Sequence, residues 1–545
     1  MFVLAITLLL GFFLRVIGLN WDQGSHLHPD ERFLTLVAEK IRIPSSLLHY
    51  FDSAASPLNP YNNGFSFYVY GDFPILITRF VAEVFHLTTY DTIFLVGRAL
   101  SVLFETGTIA LMYFLSLLLF SNKKAAVFAA AVYSFSVLPI QQAHFFTTDS
   151  FLVFFSTAAL VFFAKHLKQK TTKSLILSGI FLGLALASKV SLIIATPIFF
   201  LLLIFLYRDN MRLLVRSSLL FAILVVASFR IFQPYAFDGL ISLSPLFIAD
   251  INEAHKMITG EINYPPNVQW AGTQVILYPF VQIFLWGFGP VATALSVIGM
   301  FLAKHKKNYQ NLSLILLISF GLTVFVYQGL QLAKYMRYFY PIYPILAIFA
   351  GYTLSKISNK KILITTLVAL LIWPLSFLSV YQTSHSRVQA SVWIYSNIPS
   401  NSIVTSEEWD DSLPLNISPS LTNQNYVTLS LPMFQEDTTE KWATISAQLE
   451  RTDYIILSSN RVYDAVPHRS NIYPVTNRYY QKLHDESLGF KLIKEFNSYP
   501  NLGPIVLNDS GAEESFTVYD HPKILIFKKS NQLSKDAIMK LLYTL

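Results

Sequence analysis

The stretch MFVLAITLLLGFFLRVIGL (1–19), followed closely by HPDER (28–32), decides the fold class. Residues 1–19 carry a single charge, Arg15, and are long enough to cross a hydrocarbon core as a helix. They lack a basic leader and a small-residue cleavage site, so they read as a retained helix and signal anchor. Asp30 and Glu31 then fall where the chain leaves the bilayer. Two adjacent carboxylates at that boundary cost desolvation energy unless a cation or a hydroxyl meets them. Pro29 followed by two acids equally suits the first turn of a helix, and the two readings stand side by side.

Composition agrees with a membrane protein. Of 545 residues, 53% are hydrophobic, 15% aromatic and only 13% charged, against about 25% charged in soluble domains. The net charge of +7 does not point to nucleic acid, because the Lys and Arg residues sit mostly in short loops between apolar segments. There is no cysteine, so thiolate chemistry and disulfides are excluded.

Apolar runs of roughly 20 residues place eleven spans near 1–19, 92–120, 125–142, 150–164, 174–189, 190–207, 217–233, 273–302, 311–330, 338–356 and 361–381. With the N-terminus inside, the loops Ser121–Lys124, Lys165–Lys173, Arg208–Arg216, Lys304–Lys307 and Lys356–Lys361 are cytoplasmic and hold fifteen Lys and Arg residues. The opposite short loops hold three, Lys189, Lys334 and Arg337. The positive-inside rule thus fixes the orientation and leaves 20–91, 234–272 and the tail on the external side of the cytoplasmic membrane. The chain is expected to be a polytopic α-helical protein with a membrane domain over 1–382.

The segment 383–545 changes character. Short β-rich runs at Ser402–Ser406, Tyr426–Leu431, Asp453–Ser458, Phe490–Phe496 and Lys523–Phe527 alternate with helical stretches at Val388–Asn397 and Thr439–Arg451. This predicts a C-terminal extracytoplasmic α/β domain. In the first external loop, helices are expected near Asp30–Ile41 and Leu76–Phe85, and the run Phe65–Tyr70 suits a headgroup layer.

The charges that carry chemistry all fall on the external side. The acids are Asp30, Glu31 and Asp149; the cations are Arg98, Lys189, Lys334 and Arg337. Each has a bland reading: helix capping for Asp149, snorkelling for Lys189, helix anchoring for Lys334 and Arg337. Arg98 has Glu105 or an outer acid as partner. Their coincidence supports more. A carboxylate that takes a proton from an acceptor hydroxyl, beside cations that neutralise a departing phosphate, meets the needs of glycosyl transfer from a lipid phosphate. His28, His144 and Tyr264 are acceptor-side candidates. Glu407, Glu408, Asp410 and Asp411 read either as an acceptor or cation site or as a solvated turn.

The Asp30-Glu31 pair, the hairpin Leu184–Lys189 and the run Arg337-Tyr338-Phe339-Tyr340-Pro341-Ile342-Tyr343-Pro344 resemble the GT-C glycosyltransferases of family 39, over roughly residues 1–382. That family includes protein O-mannosyltransferases and bacterial aminoarabinose transferases. The resemblance implies a polyprenyl-phosphate sugar donor, an acceptor protein, lipid or glycan, and inversion at the anomeric carbon. By it, Asp30 is the base or acceptor-binding acid, with Glu31 supporting it, and Asp149 is a second acid in the cavity. Lys189 and Arg337, then Arg98 and Lys334, bind the donor phosphate. The resemblance implies no certain cofactor; an Asp-Glu pair can hold a divalent cation. The 39-residue loop 234–272 is too short for the β-trefoil insert of the eukaryotic enzymes, and the tail differs from both well-known subgroups. A transporter or flippase of lipid-linked or anionic substrates is the alternative, although its expected repeated halves are not evident.

Overall fold

The computed structural model describes residues 2–303, 308–417 and 424–544. The expected cytoplasmic loop Lys304–Lys307 lies outside them. The chain divides into two compact units: Met1–Leu19, His28–Lys256 and Val275–Leu375 form the first, and Asn20–Leu27, Met257–Gln274 and Ser376–Leu545 the second.

The first unit is helical. Among the described residues six helical segments are long and apolar enough to cross a membrane, such as Tyr90–Phe120 and Asp149–Gln169, and two bent pairs raise the number to eight. One pair, Lys123–Ser134 with Val137–Ala143, bends by 57°; the other, Leu277–Gly287 with Pro290–Leu302, bends by 119°. The sharper bend falls at Gly289, whose φ of +90° is open to glycine and strained for other residues, with Pro290 starting the next helix. Phe2–Val16 and Thr172–Ser188 are shorter apolar helices, and the expected 338–356 span is a tight 3-10 turn, Met336–Ile342, leading into Tyr343–Lys356.

The segment 28–91 carries two longer helices, Pro29–Lys40 and Asp72–Val84. The first starts as its sequence dictates: His28 caps it by accepting from the Glu31 amide, Pro29 occupies the first turn, and two acids complement the positive end of the helix dipole. Its buried residues, Glu31, Leu34, Thr35, Val37 and Ala38, share one face. Asp30 lies about 100° round the helix from Glu31, so the two acids must look in different directions. In the aromatic run Tyr68 is buried, and the Phe65, Tyr68 and Tyr70 rings all pack around Phe33.

The second unit is built on a mixed sheet. Its strands are β1 (Ile403–Glu407), β2 (Val427–Leu431), β3 (Tyr454–Leu457), β4 (Phe490–Phe496) and β7 (Ile524–Lys529), in the order β2-β1-β3-β7-β4. β1 pairs in parallel with β2 and β3, while β7 is antiparallel to β3 and β4. A separate hairpin joins β5 (Asn501–Leu502) to β6 (Ile505–Val506). β3 explains the layering: Ile455 and Leu457 enter a core with Trp442, Tyr479 and Phe527, whereas Tyr454 and Ile456 enter another with Ala390, Ile394 and Ile526. Alternate side chains thus bury opposite sheet faces against helices, the pattern of an α/β layer.

Candidate active site

Three acid–base pairs gather six of the expected site residues, all in the first unit. Arg337, at the turn Met336–Ile342, donates from Nη1 to Asp30 Oδ2, and the Tyr70 hydroxyl donates to Asp30 Oδ1 at 3.0 Å. Both charged side chains stay partly open, 23% exposed for Asp30 and 13% for Arg337. Burial raises the Asp30 carboxyl, but the Arg337 and His28 charges and the hydrogen bonds from Arg337 and Tyr70 outweigh it, holding the group at about 2.

Glu31 faces the other way and is fully buried. Arg98 grips it in bidentate fashion, Nε to Oε2 at 3.0 Å and Nη2 to Oε1 at 2.5 Å, and the Phe146 amide donates to Oε2 at 2.7 Å. Arg98 Nη1 also donates to the Leu19 carbonyl at 2.8 Å, and its guanidinium lies over the Phe94 ring. Of the partners expected for Arg98, the structure pairs it with Glu31. This clamp ties the helix Pro29–Lys40 to Tyr90–Phe120 and to the turn before Asp149.

The third pair is Lys189 with Asp149, Nζ to Oδ1 at 2.8 Å. The helix Thr172–Ser188 stops because Lys189 adopts extended backbone angles, which delivers its side chain at the turn. Asp149 is the first residue of its helix. Lys189 Nζ rests 4.6 Å from the centre of the Tyr338 ring, and Lys189, Arg337, Tyr338 and Gln328 line one small pocket. Gly71 locks the loop onto this turn: a Cβ there would stand 2.1 Å from the Ala187 carbonyl oxygen and 2.4 Å from that of Ser188. Only glycine permits so close a backbone approach, and it sets Tyr70 beside Asp30.

The other expected residues go elsewhere. Lys334 is buried with its ammonium 3.2 Å from the Leu332 carbonyl, and burial lowers its pKa. His28 caps its helix, and its ring packs 4.7 Å from that of Phe145. Both ring nitrogens of His144 lie 2.8 Å from main-chain carbonyls, those of Ile140 and Ile17. Tyr264 belongs to the second unit, edge-on to Trp409 at 5.6 Å. Of the acids at 407–411, Glu407 is buried and Asp410 and Asp411 are held by one arginine. Arg387 Nη2 meets Asp410 at 2.5 Å and Nη1 meets Asp411 at 2.9 Å, and the Ser459 hydroxyl donates to Asp410. Burial pushes the Glu407 carboxyl up to about 8 despite the Tyr480 hydroxyl donating to it. Among the described residues no three acid or imidazole groups converge as a metal site would need, and Asp30 and Glu31 each face an arginine.

Sequence reasoning missed Tyr70, Gly71 and Tyr338 as parts of this site. It also missed a buried network behind it, in which the Tyr133 hydroxyl donates to Glu105 at 3.0 Å, Arg15 lies 3.8 Å from Glu105, and Tyr340 sits 3.4 Å from Tyr133. Gly71, next to the only tyrosine-rich run of the loop, was the available signal.

The family described as dolichyl-phosphate-mannose-protein mannosyltransferase matches residues 73–237, less than a third of the chain. That match takes in Arg98, Asp149 and Lys189 but stops short of Asp30 and Arg337. The Archaeoglobus fulgidus oligosaccharyltransferase in its apo form superposes over 93% of this chain and 75% of its own, with 14% identity and a TM-score of 0.51. The same protein in complex with Zn and sulfate gives a TM-score of 0.52 at 16% identity, over 88% and 71%. The chain has the GT-C glycosyltransferase fold. ArnT from Cupriavidus metallidurans bound to undecaprenyl phosphate aligns over 73% of this chain and 66% of its own, at 14% identity and a TM-score of 0.47. No curated protein matches the chain in sequence.

Proposed function

We propose that this GT-C chain transfers a monosaccharide from a polyprenyl-phosphate donor to a hydroxyl acceptor at the outer face of the cytoplasmic membrane, inverting the anomeric carbon. It does so from a membrane unit of eleven crossings with its N-terminus cytoplasmic and its C-terminal domain external. The observation that carries the reading is one partly open carboxylate, Asp30, beside a pocket that holds two cations, Arg337 and Lys189.

The chemistry follows from those groups. Asp30 accepts the proton of the acceptor hydroxyl as its oxygen attacks the anomeric carbon. The bond from that carbon to the phosphate oxygen breaks on the opposite side, and its electron pair leaves with the phosphate. The diester with one negative charge becomes a monoester with a second, which Arg337 and Lys189 neutralise as it develops. A phosphate leaves without a general acid, so one base and a cationic clamp suffice. Single displacement inverts the configuration. Glu31 and Arg98, both fully buried, hold the loop that presents Asp30.

The test is consumption of polyprenyl-phosphate sugars by the purified protein in lipid, with candidate protein, lipid and glycan acceptors. Asp30→Asn should lower transfer by about 10²–10⁴-fold while keeping the wild-type elution profile and unfolding temperature. Undiminished transfer by that variant removes Asp30 as base. Transmembrane movement of the intact donor without its consumption overturns the transferase reading in favour of a flippase.

A further inference from the structure

The pocket that would take the donor phosphate is already electrically closed. Arg337 holds Asp30, Lys189 holds Asp149, and both cations line the same space. Two cations and two carboxylates leave no net charge for an incoming anion to meet. A carboxylate bound this tightly to a guanidinium is also a poor acceptor for a hydroxyl proton. The apo arrangement therefore suits neither step of the proposed reaction.

Each group, however, has a second partner. Asp30 keeps the Tyr70 hydroxyl at 3.0 Å when Arg337 turns away. Asp149, the first residue of its helix, keeps the positive end of that helix. The cations also have independent support. The Arg337 guanidinium carbon lies 5.1 Å from the centre of the Tyr335 ring and 5.8 Å from that of Tyr338, while Lys189 Nζ lies 4.6 Å from the latter. Swapping a carboxylate for another anion leaves no charged group stranded.

Resting on the transferase reading, we propose that Asp30 and Asp149 are resident counter-anions which the donor phosphate displaces from Arg337 and Lys189. Donor binding itself thereby frees Asp30 to receive the acceptor's proton. Asp149 is then a positioning residue that holds Lys189 ready at the turn. The order of events is fixed: donor first, acceptor chemistry second. A free acceptor hydroxyl meets an Asp30 engaged by Arg337, and hydrolysis or transfer begins only once phosphate occupies the cations.

The exchange makes an unusual demand, that removing the base tightens ligand binding. The experiment measures the dissociation constant of polyprenyl phosphate, without sugar, for wild type, Asp30→Asn, Asp149→Asn, Arg337→Ala and the double variant Asp30→Asn/Arg337→Ala. Asp52→Asn, an exposed acid of the same loop, controls for general charge. Asp30→Asn and Asp149→Asn should each bind roughly 3- to 10-fold more tightly, the scale of one partly buried ion pair. Arg337→Ala should bind more weakly, and adding Asp30→Asn to it should restore nothing. Unchanged or weaker binding by both asparagine variants overturns the exchange, as does an equal gain in Asp52→Asn or in the Arg337→Ala background. If Arg337→Ala itself binds normally, the donor-phosphate assignment fails first. Either asparagine variant tests the proposal alone should the other not fold.

Discussion

Glu31 sits next to the proposed base, and removing it should damage stability rather than chemistry. The Glu31 carboxylate accepts from Arg98 Nε at 3.0 Å, from Arg98 Nη2 at 2.5 Å and from the Phe146 amide at 2.7 Å, with both side chains fully buried. Glu31→Ala takes the bidentate carboxylate from a buried guanidinium, whose contacts with the Leu19 carbonyl and the Phe94 ring carry no compensating charge, and it removes the acceptor of the Phe146 N–H. Breaking one half of a buried pair costs about 3–5 kcal/mol. Glu31→Gln keeps an acceptor for Phe146 and should cost less, about 1.5–3 kcal/mol for the lost charged hydrogen bond. The double variant Glu31→Leu/Arg98→Met removes both charges with similar volume and should return to within about 1 kcal/mol of wild type or exceed it.

The assay is the temperature at which half of the detergent-solubilised protein loses its monodisperse elution peak. Domains of 150–250 residues shift by about 2–4 °C per kcal/mol, and a larger unit shifts less, so Glu31→Ala should fall by at most about 20 °C and by several degrees at least. Transfer activity per folded molecule, measured well below that temperature, should stay within a few-fold of wild type. A variant with wild-type thermal stability and no activity would refute the scaffold role and return Glu31 to the reaction. A double variant as unstable as Glu31→Ala would refute the uncompensated-charge account.

Other outcomes follow from the same geometry. Gly71→Ala places a Cβ 2.1 Å from the Ala187 carbonyl oxygen, and because backbone meets backbone it should cost about 1–3 kcal/mol and separate Tyr70 from Asp30; normal unfolding temperature and normal transfer would refute that packing. Lys189→Ala should raise the apparent donor KM with less change in kcat, and an unchanged KM would remove Lys189 from the phosphate site. The second unit should weaken at alkaline pH. Burial pulls the His521 imidazole down, but the Asp520 and Asp509 carboxylates outweigh it and raise it from 6.5 to about 10. A raised histidine contributes stability that is full below 6.5 and is lost as pH rises through 10. Glu407, raised from 4.5 to about 8, loses its share between those values in the same direction. Unfolding temperatures followed from pH 5 to 10 should therefore decline, less so in His521→Asn; a flat profile would contradict the buried triad.

Local patterns in the sequence were legible where they had local causes. The five expected β-runs lie within one residue of the observed strand ends except β7, which continues two residues further to Lys529, because alternating burial on a sheet imprints a period of two. The helix Pro29–Lys40 was readable from its cap, its proline and its acids. The 119° bend inside 273–302 also had a local mark, Gly289-Pro290, which hydropathy over a wide window averages away. The pairing of charges had no such mark. Asp30 and Arg337 are 307 residues apart, Glu31 and Arg98 are 67, and Asp149 and Lys189 are 40. Hydropathy and the positive-inside rule assign charges to a face of the membrane, but which acid meets which base depends on helix rotation and on where loops touch. Asp30 and Glu31 show how sharp that dependence is. They are chemically alike and adjacent in sequence, yet one helical step separates a partly exposed carboxylate from one sealed behind an arginine. A turn of about 100° per residue makes two consecutive acids on a helix poor partners for one another and good partners for two different arginines.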